Sequence, residues 1–251
     1  MKDQYFADKR DFLKYDLWME LAEYLGEATR LTFVPMLTKR DDTKQGHKTN
    51  YDPGVRRREL YDFLRRCVNE EKRSISRLRE FLNSRLYCPY RDGCGGDADY
   101  FEPAGRREYF GSIPAADLND SVVLVDPDTG LETRSSYWKR SPSSYAEYAD
   151  IVTVARRTVG SSVIPVIQFP QRNADRAERD LDHRADRLSR ELRSSAAGNW
   201  AVHWLAQKKP RCAKVGDCAF FVVIPRLGDG NIRKPALELC KTAQHDLESR
   251  S

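Results

Sequence analysis

Residues 1–251 predict one α/β domain, a Rossmann-like three-layer sandwich with a mostly parallel central sheet and surface insertions at about 86–110 and 195–217. Two observations carry this. LTFVPML at 31–37, SVVLV within 121–130, VIPVI within 162–170 and CAFFVVIP at 218–225 are continuous apolar runs of strand length. Such runs mark strands buried on both faces. They also alternate with longer segments of helical periodicity, which places helices over both faces of a parallel or mixed sheet.

In chain order, the first helix starts near Asp8, a residue able to cap it, with Asp11 where a capping-box acid would sit. Leu13, Leu17, Leu21 and Leu25 form its core stripe, Asp11, Lys14 and Trp18 share a neighbouring face, and Gly26 ends it. The strand at 31–37 ends near Pro35, and 38–54 is polar and breaker-rich, a loop. Leu60, Phe63, Leu64 and Cys67 put a helix over 55–68, and Ile75, Leu78, Phe81 and Leu82 put one over 72–83. An excursion rich in Gly, Cys and Pro occupies 88–105. The strand opening at 121 runs into Asp126-Pro127-Asp128-Thr129-Gly130, strong turn chemistry. A helix is predicted at 145–158, a strand at 162–170, a long polar helix at 174–193, strands at 200–206 and 218–225, and a helix at 235–248.

Hydrophobic residues make up 40 % of the chain, enough for a core. The net charge of +5, from 43 Lys and Arg against 38 Asp and Glu, is compatible with a nucleic-acid partner but lacks the dense basic patch of a dedicated binder. No stretch approaches the roughly 20 apolar residues of a membrane span. The charged start MKDQYFADKR lacks a signal-peptide core, and the cysteines are expected to be reduced, in a cytoplasmic protein.

In open α/β sheets ligands bind beyond the carboxyl ends of the strands, where strand order reverses. That singles out Thr38–Lys39, Asp126-Pro127-Asp128 and Gln168-Phe169-Pro170. Asp126 is the strongest candidate, because Pro127 stiffens the backbone after it and paired carboxylates can take protons, hold a cation or orient an amine. The same residues also make an ordinary tight turn. Cys88 with Cys94, and Cys212 with Cys218, are two equally spaced pairs that would together suit a structural zinc, although the spacing is wider than in common zinc sites and small buried thiols are the simpler reading. HExxH, GxSxG and GxxxxGK[ST] are absent, the four histidines form no pattern, and the alternating charges of 174–193 read as a solvated face.

YFADKRDFLKYDLWMELAEYL and VVLVDPDTGLE, with IQFPQR and CAFFVVIP, resemble a group of uncharacterised bacterial and phage proteins. Those carry a Tyr-Phe-Gly-Asp-x-x-Asp-Phe-x-Lys-Tyr box and an Asp-Pro-Asp-Asn-Gly-(Leu/Ile)-Glu box. Here Ala7 replaces the glycine and Thr129 the asparagine. More distantly, the layout resembles Rossmann-type S-adenosylmethionine-dependent methyltransferases of the ribosomal-RNA adenine class. RDFLKY matches their Ala-Asp-Val-Leu-Lys-His box through Asp11 and Lys14, and VDPD matches their Asp-Pro-Pro-Tyr box through Asp126 and Pro127. Asp128 and Thr129 depart from it. The resemblance implies that Lys14 lies in the active cleft, that Asp126 binds the target amine or cofactor, and that Asp8, Asp11 and Tyr15 line the same pocket.

Three expectations follow. The first is a methyltransferase-like enzyme acting on a nucleotide or nucleic acid, with S-adenosylmethionine as cofactor and Asp126, Asp128 and Lys14 as catalytic residues. The second is a nuclease or phosphohydrolase that uses Mg2+ on Asp126, Asp128 and Glu132. The third is a non-catalytic binding protein in a phage–host conflict.

Overall fold

The apolar runs become strands because each finds apolar partners on two sides at once. The computed structural model describes residues 1–26, 29–39, 48–51, 57–82, 86–87, 100–133, 137–159, 162–170, 174–195, 200–208 and 215–225. The predicted helix at 235–248 and Cys88, Cys94 and Cys212 lie outside these residues. Strand β3 (Ser121–Asp126) is buried at every position. Its Val122 and Leu124 enter one apolar core, and Val123 and Val125 enter another on the opposite face. β1 (Arg30–Pro35) lies parallel to it in unbroken register, from Arg30 opposite Ser121 to Pro35 opposite Asp126.

β2 (Leu86–Tyr87) pairs parallel with β1, and β6 (Ile164–Gln168) pairs parallel with β3. β8 (Val215–Pro225) is antiparallel to β6, and β7 (Trp200–Lys208) is antiparallel to β8. The six-stranded order is β2-β1-β3-β6-β8-β7. The fold is thus mixed α/β around a mostly parallel central sheet. The segment 195–217, expected to be an insertion, instead supplies β7 and the start of β8, because Trp200, Leu205 and Ala206 find buried positions along the sheet. A separate two-stranded pair joins β4 (Gly130–Leu131) to β5 (Tyr145–Ala146).

Helices cover both faces. On one side α1 (Lys9–Leu25), α2 (Arg58–Asn69) and the short α3 (Leu78–Leu82) pack over Leu31, Phe33, Val122, Leu124, Phe220 and Val222. On the other, α4 (Arg106–Gly111), α5 (Ala115–Leu118), α7 (Tyr148–Arg157) and α8 (Ala174–Ser194) pack over Val123, Val125, Val166 and Phe221, while α6 (Tyr137–Arg140) precedes β5 in the chain. The helix expected over 145–158 begins later, because Tyr145 and Ala146 are taken by β5, and Asp150 accepts the Glu147 N–H to start α7. The region expected over 72–83 is a single 3-10 turn leading into α3. Among the described residues no helix is long and apolar enough to cross a membrane.

α1 departs most from its helical pattern. Leu17 and Leu21 are buried, but so are Phe12, Tyr15, Trp18 and Met19, so the helix is enclosed nearly all round. Trp18, read as part of the polar neighbouring face, points at the sheet and donates its indole N–H to the Val122 carbonyl at 2.8 Å.

α2 ends in a Schellman geometry, with the Glu71 N–H bonded to the Val68 carbonyl and the Lys72 N–H to the Cys67 carbonyl. Glu71 holds φ +56°, a conformation that favours glycine, and its side chain is exposed. Glu71→Gly is therefore expected to stabilise the fold by about 1 kcal/mol, read as a higher midpoint in thermal unfolding; a lower midpoint would contradict the strain argument.

Candidate functional site

β2 lies on one side of β1 and β3 on the other, so strand order reverses between β1 and β3. At their carboxyl ends Pro35 stands opposite Asp126, and the Met36 N–H donates to the Asp126 carbonyl at 3.0 Å. The start of α1 sits over this point. Asp8 is its N-cap, accepting the N–H groups of Arg10 at 2.8 Å and Asp11 at 3.0 Å. Asp11 does not close the expected capping box on Asp8. It accepts the N–H of Ala7 at 2.9 Å, one residue earlier, and turns its other oxygen to Lys14. Ala7 holds φ +70°. Glycine adopts that conformation without strain, whereas alanine does so at a cost.

Lys14 is only 3 % exposed and reaches two carboxylates, Asp11 at 2.7 Å and Asp126 at 2.6 Å. Asp126 is 1 % exposed; Lys14 takes its Oδ2, and the described residues give its Oδ1 no hydrogen bond. Burial pushes the Asp11 carboxyl up to about 7, although the Lys14 ammonium pulls it back. Asp8 and Asp126 lie close by, and their charges add to the upward push on Asp11. Burial disfavours the charged Lys14, but Asp11 and Asp126 outweigh it and hold its pKa above the ordinary lysine value. Asp128 lies next in the turn and pairs with Lys2 at 2.9 Å and with the Met1 amino group at 3.5 Å. Burial works against its charge, yet these two cations hold it below the ordinary carboxylate range.

These groups surround a cavity of about 240 Å³, lined by Lys2, Asp8, Arg10, Asp11, Lys14 and the turn from Asp126 to Thr129, with Met1, Tyr5 and Phe169 completing it. No protein-family model matches the chain, and no curated protein matches it.

Asp8, Asp11, Lys14, Asp126 and Asp128 thus lie around one cavity. Tyr15 does not line it. Its ring is fully buried among Phe6, Trp18 and Phe33, with the Lys14 ammonium 4.8 Å from its centroid. Tyr15 supports the lysine from beneath. Glu132 is also elsewhere. It pairs with Arg187 at 3.2 Å and accepts the Tyr148 N–H, because β4 carries the chain toward α7 and α8. The trio of Asp126, Asp128 and Glu132 is therefore not assembled, and among the described residues no group of three metal-ligating side chains occurs. Cys218 is buried in β8, where burial pushes its thiol up to about 12. Thr38 binds the Met1 carbonyl through its N–H and hydroxyl, and Lys39 is exposed, so neither lines the cavity.

Arg184 was not singled out in the sequence. It is 5 % exposed on α8 and donates to the Leu131 carbonyl at 2.6 Å and to Gln168 Oε1 at 3.3 Å. Gln168 Oε1 also accepts the Leu131 N–H at 3.0 Å. Gly130 holds φ +132°, and a Cβ there would collide with the Gln168 side chain. This knot fixes the turn that carries Asp126 and Asp128. A signal existed: Ala177, Leu181, Arg184 and Leu188 follow helical core spacing, so the arginine interrupts an apolar stripe.

Lys14→Met should destabilise the fold by about 3–5 kcal/mol, since it leaves Asp11 and Asp126 buried without their cation. Urea unfolding measures this, and a loss below about 1 kcal/mol, as expected of an exposed pair, would contradict it. Asp11 also makes a pH prediction. Its folded pKa lies above the unfolded carboxyl value of about 4, so the stability from its protonation is fully present below about pH 4 and is lost as pH rises through about 7. Asp11→Asn should flatten the loss of stability between about pH 4 and pH 7; an unchanged slope would assign it to other groups.

Proposed function

We propose that the chain is a methyltransferase-like enzyme of Rossmann-like three-layer architecture that acts on a nucleotide or nucleic acid, with Asp126 orienting the target N–H group. The observation that carries the reading is the charged cavity at the strand-order reversal, where the polar residues of RDFLKY meet the DPDTG turn. Asp11, Lys14, Asp126 and Pro127, the residues matched to the methyltransferase boxes, all line it.

The residues fit part of S-adenosylmethionine. Asp8 and Asp11 suit its cationic end, whereas Met36 and Leu37, buried after β1, offer no glycine turn for its ribose. When bound, S-adenosylmethionine supplies an electrophilic methyl group. The chain's own residues do the positioning. Asp126 Oδ1 accepts a hydrogen bond from the target N–H while Lys14 fixes Oδ2, and Phe169 and Pro127 present apolar surface that displaces water. At about 240 Å³ the cavity is smaller than pockets that enclose a whole ligand, roughly 300–1,000 Å³, so a ligand places one end in it.

Calorimetry with S-adenosylmethionine, followed by transfer of labelled methyl groups to nucleotides and oligonucleotides, tests the reading. Binding and transfer are expected, with transfer falling on the order of 100-fold in Asp126→Asn. No heat at millimolar cofactor overturns it.

A further inference from the structure

Four cationic groups line the cavity, and three are already engaged by the protein. Lys14 is held by Asp11 and Asp126, Lys2 by Asp128, and the Met1 amino group donates to the Met36 carbonyl at 2.7 Å. Arg10 differs. Its backbone N–H is taken by Asp8, but its guanidinium makes no hydrogen bond or ion pair among the described residues. It lies 5.0 Å above the ring of Phe169.

Three physical points make this arrangement informative. Arg10 is half-buried, so its guanidinium is partly desolvated while no carboxylate among the described residues pairs with it directly. It occupies the first turn of α1, where the helix dipole disfavours a cation. A cation–π contact engages the charge of the guanidinium and consumes none of its N–H donors, which stay available to an acceptor. Phe169 is itself well anchored. Its N–H donates to the Thr129 carbonyl at 3.2 Å and its carbonyl accepts from the Gln168 side chain at 2.9 Å. The stacked pair therefore joins the start of α1 to the end of β6 beside the DPDTG turn.

We propose that Arg10, laid over Phe169, is an oxyanion subsite that holds the phosphate or carboxylate end of the ligand whose N–H donor meets Asp126. This rests on the reading above in taking one ligand to reach both groups. A planar fork on a fixed ring suits either oxyanion through paired hydrogen bonds.

The test compares matched probes by calorimetry on the full chain: adenosine monophosphate against adenosine, and methionine against methioninol. The wild-type protein should bind the member that carries the phosphate or carboxylate, in at least one pair, about tenfold tighter, the scale of a charge-assisted contact. That preference should vanish in Arg10→Gln and survive in Arg58→Gln, which removes an exposed arginine already paired with Asp62 on α2. The pair that shows the preference identifies phosphate or carboxylate. Phe169→Leu should weaken the preference without abolishing it. Equal binding within both pairs, or a preference that persists in Arg10→Gln, overturns the subsite. If the preference depends on Arg10 but S-adenosylmethionine neither binds nor transfers its methyl group, the subsite stands and the methyltransferase reading falls.

Discussion

The Lys14 ammonium, buried between Asp11 and Asp126, is the contact on which the rest of this structure depends. A cation enclosed by protein is tolerated only where carboxylates meet it at short range. α1 can therefore take only the rotation and depth that bring Lys14 to the end of β3. One turn further on, the Trp18 indole reaches the Val122 carbonyl of the same strand and fixes the helix a second time. Phe12, Tyr15, Leu17 and Leu21 supply the apolar burial, but apolar contacts are non-directional, and the two polar contacts select among the packings they would permit. The cavity exists because this register leaves the polar first turn of the helix, rather than its apolar middle, above the ends of β1 and β3.

The DPDTG turn is held from both faces of the sheet. Toward α1, Asp126 and Asp128 meet Lys14 and Lys2. Toward α8, Arg184 and Gln168 bind the backbone of Leu131, and the lack of a side chain at Gly130 gives Gln168 its place. The carboxylates thus stand on a backbone with little freedom, a condition for positioning a reacting group. The rim built by Arg10 and Phe169 contrasts with this. Its arginine lies over the Phe169 ring and its guanidinium makes no hydrogen bond or ion pair among the described residues.

Much of this was legible in the sequence. The apolar runs at 31–37, 121–125 and 218–225 are strands, Asp8 caps the first helix, Gly26 ends it, and the long helix lies at Ala174–Ser194. These follow from local chemistry, either continuous hydrophobicity or a capping side chain, which acts within a few residues. Strand direction was less legible. The antiparallel run of β8 beside β6 depends on which edge the hairpin meets, and an apolar run reads the same in either direction. Tyr15 and Glu132 show the limit for side chains. Each stands in a motif with site residues, but a helix turn carries Tyr15 into the core, and β4 carries Glu132 to the opposite helices.

The sequence by itself determined which residue types were available for a site and where the strand ends would present them. Only the tertiary structure decided that Lys14 and Asp126, 112 positions apart, share a buried charged cluster. It also decided that Arg10 lies over Phe169 and that Arg184 holds the turn from the far face. Local periodicity assigns a residue to a face of its own element, whereas contact between elements follows from the rotation and crossover that bury the whole core together.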